Sequence, residues 1–172
     1  MRLFGKGNIF ARAREAHEEK KRKDQAVIEF GKRVCAIPVE VARMLALHRI
    51  ATSKVFTLTS RTADEALPGQ LHETLRTLFT TYRTVEWKGM AWVSLDDWAE
   101  CPELPGYFVI GEDTETALAC DSRTGTVGFY EEEGKVSLDY PSVFHWILEL
   151  GTDSTGIEEY VGPAPPSDAD AS

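Results

Sequence analysis

Long apolar runs are missing from this sequence: no stretch approaches the ~20 residues that a membrane-spanning helix needs. Cysteine is scarce. Cys35, Cys101 and Cys120 make an odd set of three with no CxxC spacing, which argues against a disulfide framework or a zinc knuckle. That usage fits a reducing compartment, so a cytoplasmic location is expected. The start, Met1 to Lys6, is basic but is followed by no apolar core, and no cleaved secretory signal is expected. Catalytic signatures are missing too: there is no GxSxG, P-loop, HExxH or dinucleotide-binding glycine pattern. After residue 88 basic side chains all but vanish, leaving Arg123 and Lys135 against eighteen Asp and Glu. A half-chain so acidic repels phosphate, which excludes a nucleic-acid-binding surface there.

What is present suits one domain with extensions. The chain has 172 residues, 42% of them hydrophobic, and a net charge of −9. Residues 1–35 hold ten Lys and Arg against five acids. They read as a basic helical extension: a loose arm over 1–9, then a helix over 10–34 that is solvated until Val27, Phe30 and Val34 offer an apolar stripe. Lys20, Lys21, Arg22 and Lys23 are interleaved with Glu15, Glu18 and Glu19, the pattern of a solvated helical face. The domain proper is expected over 36–150. From 151 to 172, Gly, Pro, Ser, Asp and Ala predict a disordered acidic, proline-rich tail.

Within the domain, Pro38 opens a helix whose apolar face reads as Val41, Met44, Leu45 and His48, the histidine lying at the edge of the core. Residues 54–60 are β-prone. Residues 69–82 predict an amphipathic helix with Leu71, Leu75, Leu78, Phe79 and Tyr82 inward and His72 exposed. The period then changes to two. Runs on either side of Lys88-Gly89 predict a hairpin, with Val85, Trp87, Met90 and either Trp92 or Val93 facing the core. Ser94 caps a short turn. Four strands follow, at 107–111, 116–121, 126–130 and 135–139, joined by short turns as an antiparallel meander. Ser142 then caps a closing helix that carries Phe144, Ile147 and Leu148. The expected fold is α+β: a mainly antiparallel sheet of about five or six strands flanked by two to four helices.

Chemistry-bearing residues are dispersed. His17, His48, His72 and His145 show no metal-pair spacing, and a Cys120–His145 dyad would need tertiary coincidence. Asp113 and Asp121 suit turn caps better than paired catalytic acids. The loop at Glu112-Asp113-Thr114-Glu115 lacks the glycine and carboxylate spacing of a calcium loop. No catalytic residue, cofactor or metal is therefore expected.

Phe108, Ile110, Gly111 and Asp113, then Asp121, Thr124, Gly125 and Val127, then Ser142 and Leu148 form a pattern of strand end, turn and capped helix. It resembles the C-terminal half of the SUKH superfamily of bacterial immunity and interaction domains. The chain departs from it at Thr114 and Glu115, where that family often has a glycine pair. The resemblance implies a SUKH-like fold and a non-enzymatic binder that grips a toxin domain with one sheet face and neighbouring loops. The partner it implies is a protein, in particular a basic toxin domain; the acidity of the chain and its lack of a long apolar face leave no nucleic acid and no membrane expected as partners. A scaffold module docking through residues 10–34, and a small hydrolase, are the alternatives. For a basic partner the contacts expected from the sequence are Glu112, Asp113, Glu115, Glu131, Glu132 and Glu133, with Tyr107, Tyr130 and Tyr140 as aromatic anchors. A merely solvated turn is the competing reading of the three consecutive glutamates.

Overall fold

The structure, a computed structural model, describes residues 6–131, 134–152 and 158–162. It is an α+β fold. Helix α1 (Lys6–Cys35) leads into α2 (Val39–Thr52) and strand β1 (Phe56–Ser60). Helix α3 (Glu73–Thr81) runs straight into β2 (Tyr82–Trp87), and β3 (Ala91–Ser94) and β4 (Ala99–Glu100) follow. Strands β5 (Tyr107–Asp113), β6 (Thr116–Asp121), β7 (Val127–Glu131) and β8 (Lys135–Tyr140) form the meander. Helix α4 (Val143–Glu149) and the short α5 (Glu158–Val161) close the chain. Among the described residues eight strands make one sheet in the order β1-β2-β3-β5-β6-β7-β8, with β4 paired beside β5. Every pairing is antiparallel.

The pleat sorts the side chains. Val85, Val93, Leu118, Cys120 and Val127 point to one face and join a core with α2, α3 and α4. Trp92 pairs with Glu86 and Glu112 on the opposite face, so of the two hairpin candidates it is Val93 that enters the core. Met90, expected inward, is 48% exposed because it sits in the turn itself. That turn is the expected two-residue one: Lys88 and Gly89 have φ of 50° and 68°.

Helix α4 is the centre of the packing. All residues from Val143 to Leu148 are buried. Its closest helical partner, α2, keeps Val41 and Leu45 half-buried against the core as expected, but its deepest face is rotated away from Met44 and His48. Ala42, Ala46, Arg49 and Ile50 are buried, whereas Met44 is 59% exposed and His48 is exposed. The small alanines let the two helix axes approach closely. Arg49 follows them inward because α4 ends there: its guanidinium donates to the carbonyls of Ile147 at 2.5 Å, Leu148 at 3.3 Å and Leu150 at 2.5 Å. These are carbonyls that a helix end leaves unsatisfied.

Three expected boundaries move. Helix α1 starts at Lys6 rather than 10, so part of the expected loose arm is helical. Over residues 9–29 it is exposed except for half-buried Lys23 and Ala26, while Phe30 and Val34 are fully buried in the core. Helix α3 starts at Glu73 rather than 69. His72 serves as its N-cap, accepting from the Thr74 amide at 3.3 Å, and is half-buried rather than exposed. In the tail predicted to be disordered, Glu158–Val161 form a helical turn and Val161 is buried against the core; residues 153–157 and 163–172 of that tail lie outside the described residues.

Candidate partner-binding surface

Among the described residues, the helices that share the core pack on one face of the sheet, and the other face is left to solvent and loops. Register aligns Thr57, Glu86, Trp92, Glu112 and Ala117 in one row across that second face. Tyr130 and Val136 pair on the same face on the next two strands, β7 and β8. Glu86, Trp92, Glu112, Tyr130 and Val136 are all half-buried, so the row presents carboxylates between partly exposed rings. The Trp92 indole is fixed by donating to Asp97 Oδ2 at 2.8 Å.

The sheet twists, and twist bends diagonal corners toward each other. On the solvent face the β7–β8 hairpin meets the 101–106 loop, with Gly134 against the Glu103 side chain. On the helix face the other diagonal closes, and Asp113 at the end of β5 shares a cleft with Tyr140 at the end of β8.

The expected acidic loop is thus divided. Glu112 lies on the solvent face and Asp113, its neighbour, points to the helix face, where its Oδ2 accepts from the Trp146 indole at 2.9 Å. Glu115 is exposed at the β5–β6 turn. There Thr114 and Glu115 have φ of 47° and 67°, the left-handed region that favours glycine. Glu131 is exposed at the β7–β8 turn, which leaves the sheet at the same end as the β5–β6 turn. Glu132 and Glu133 lie outside the described residues. Tyr130 joins the solvent-face row. Tyr140 packs against the core, edge-on to Phe129 with ring centroids 6.3 Å apart. Tyr107 is not brought to the others. It starts β5, about 20 Å along the strand from Asp113, under the Arg123 guanidinium at 5.9 Å.

Residues that the sequence did not mark as binding candidates complete the picture: Glu86 and Trp92 on the solvent face, and Trp87, Trp146 and Glu149 around the cleft. Alternation could have found the first two once Val93 was placed inward. The cleft is a tertiary corner with no local signal.

The turn residues have structural work. Asp121 Oδ1 accepts from the Arg123 amide at 2.9 Å. Burial alone would raise its carboxyl, but the bonds from Arg123 outweigh that and hold it below the ordinary range. Gly125, at φ 75°, lies so close to the His72 ring that a side chain there would overlap it. Gly111 faces the Trp92 carbonyl with no room for a Cβ. The Cys120–His145 dyad does not form. His145 Nε2 donates to the Ile37 carbonyl at 2.8 Å and Nδ1 accepts from Ser142 Oγ at 2.8 Å. The Cys120 thiol faces the Asp121 carbonyl at 3.4 Å, and burial pushes it up to about 12, far from a reactive thiolate. Among the described residues no group of three or more His, Cys, Asp or Glu is placed to hold a metal, and no helix is long and apolar enough to cross a membrane.

No protein-family model, curated protein or solved structure matches this chain.

Proposed function

We propose that this chain is a non-catalytic binding domain, an immunity protein of SUKH type that neutralises a basic toxin domain in the cytoplasm by direct binding. The observation that carries the reading is the solvent face of the sheet, where Glu86 and Glu112 alternate with Trp92 in one row and Glu115 and Glu131 stand exposed at its end. A rigid sheet gives such a surface its shape. Aromatic rings supply apolar anchorage, and carboxylates draw in a cationic partner and speed encounter. The motif positions shared with the SUKH pattern support the same reading. Gly111, Asp121 and Gly125 each hold a turn or close approach rather than a reacting group.

The test is co-expression with a toxin-like domain encoded by a neighbouring reading frame. Growth rescue and a stable complex are expected. Changing Glu131, Glu132 and Glu133 together to Gln should slow association and flatten its dependence on salt while the fold stays intact. Failure to bind any basic toxin domain, with folding verified, overturns the reading.

A second reading, a scaffold module, has its own support. The solvated part of α1 exposes Ile9 at 70% and Phe10 at 74%. Deleting residues 1–24 spares Phe30 and Val34 and therefore the core. Complete loss of partner binding in that truncation favours the scaffold, and unchanged binding favours the sheet face.

A further inference from the structure

A cleft of about 340 Å³ opens on the helix face between the β2–β3 turn, the end of β5 and the C-terminal end of α4. Trp87, Tyr140 and Trp146 line it together with two carboxylates, Asp113 and Glu149. We propose that this cleft takes one lysine or arginine side chain of a basic partner protein, its cationic head at Asp113 and Glu149 and its aliphatic stem along the aromatic rings. That the cation comes from a partner protein rests on the binding function proposed above; the preference of the cleft for a cation does not.

The chemistry of the lining points one way. Asp113 is held by two neutral donors, the Trp146 indole at 2.9 Å and the Thr114 hydroxyl at 3.0 Å, which fix its position and leave its charge uncompensated. Glu149 packs over Gly31, where even a Cβ would come within 3.0 Å of its Oε1, and it interacts with the Tyr140 hydroxyl. Burial pushes the Glu149 carboxyl up, and the charges of Asp113 and Asp139 push it the same way. Among the described residues neither Asp113 nor Glu149 forms an ion pair with a lysine or arginine. The nearby Lys88 ammonium lies 4.9 Å from the Trp87 ring centroid instead. Carboxylates withdrawn from water are ordinarily paired. Here the charges stand beside electron-rich rings, the setting in which a cation gains from both. The volume falls at the small end of ligand pockets, which run from about 300 Å³ upward, and suits one side chain rather than a large organic ligand.

The cleft is testable without the partner. The full chain, labelled at its four tryptophan indoles, is titrated with Nα-acetyl-arginine amide and Nα-acetyl-lysine amide, with neutral Nα-acetyl-norleucine amide as control, and followed by NMR. The cations should shift the Trp87 and Trp146 indole signals in a saturable way and leave Trp92 and Trp98 still, and the control should move none. Glu149→Gln removes the charge and keeps the shape; it should weaken the response about tenfold, with circular dichroism verifying the fold. Asp113→Asn, which retains an acceptor for Trp146, serves as the second variant. Equal response to the neutral control, no response, or a response that both variants leave unchanged overturns the cleft, and intact toxin binding in that case leaves the wider binding function standing. If the small cations bind but Glu149→Gln leaves the affinity for the toxin domain unchanged, the assignment of the cation to the partner is overturned.

Discussion

The β5–β6 turn stores backbone strain that a two-residue substitution should release. Thr114 and Glu115 both sit at positive φ, 47° and 67°. A residue with a Cβ costs about 1–2 kcal/mol in that region, and β-branched Thr114 belongs at the upper end. Asn-Gly is the pair best suited to a turn with two positive φ values. Two effects oppose the gain, and a third softens the second. Glycine in place of Glu115 returns about 0.5–1 kcal/mol through the freer unfolded chain. The exposed Thr114 to Asp113 hydrogen bond, 3.0 Å long, contributes about 0.5 kcal/mol at the surface. Asparagine keeps a polar group that can take part of that role. The net for Thr114→Asn with Glu115→Gly is a stabilisation of about 1–2 kcal/mol, or a rise in Tm of about 2–8 °C for a domain of this size. Thermal unfolding followed by circular dichroism reads it. The same variant removes one carboxylate from the end of the solvent face, so association with a basic partner should slow as the protein becomes more stable. An unchanged or lower Tm refutes the strain argument. A higher Tm with an unchanged association rate removes Glu115 from the binding surface.

Arg49→Met should destabilise the protein by about 3–5 kcal/mol, because it leaves the carbonyls of Ile147 and Leu148 in α4 and of Leu150 just past its end buried without their donor; urea unfolding measures it, and a loss under 1 kcal/mol contradicts the capping role. Burial holds the His145 imidazole below its ordinary value, with the Ile37 carbonyl only partly offsetting it. The unfolded chain therefore takes up the proton first, and the stability contribution is complete above about pH 6.5 and is lost as pH falls toward the folded value. His145→Gln should lower stability overall and flatten its decline between about pH 7 and 5, and equal slopes for the two proteins would sink this assignment. Gly111→Ala should cost about 3 kcal/mol or more, since the new methyl meets the Trp92 carbonyl and no rotamer can relieve it; expression as a soluble, cooperatively folded protein with unchanged stability would contradict the close approach.

Where local pattern and packing agreed, the sequence was legible. The β2–β3 hairpin announced itself by alternation on either side of Lys88-Gly89, and the meander by four β-prone runs with turn residues between them. Where packing used small residues, pattern reading failed. On α2 the large side chains Val41 and Leu45 of the expected stripe pack half-buried against the core, but Met44 points to solvent, and the deepest contacts are made by Ala42 and Ala46, which carry little hydrophobic signal but let α4 come close. Arg49 broke the reading further, since a buried guanidinium is legible only once the helix end it serves is known. The start of α3 was misplaced because Leu71 continues the helical period while still in the preceding loop, and because a histidine is an unusual cap. Strand β4 has two residues, too short for any periodicity to register.

The candidate surface was harder to read for a geometric reason. Adjacent carboxylates in a sequence look like one charged patch, but a strand sends neighbours to opposite faces. Glu112 therefore serves the solvent face with Glu86 and Trp92, while Asp113 turns inward to the Trp146 indole and the cleft with Glu149. Tyr107 and Tyr140, alike as aromatic ends of strands, are separated by the same logic: one begins a strand at the far end of the sheet and the other is carried by twist to the Asp113 corner. Charge content predicted an acidic protein and turn chemistry predicted where the loops lie. Which carboxylate meets which ring was set by strand parity and sheet twist, and neither is fixed until the strands are paired in register. A Glu112→Gln variant and an Asp113→Asn variant, one residue apart, should accordingly act on different surfaces. The first should alter salt-dependent association with little change in the Trp146 indole signal, and the second should shift that signal directly.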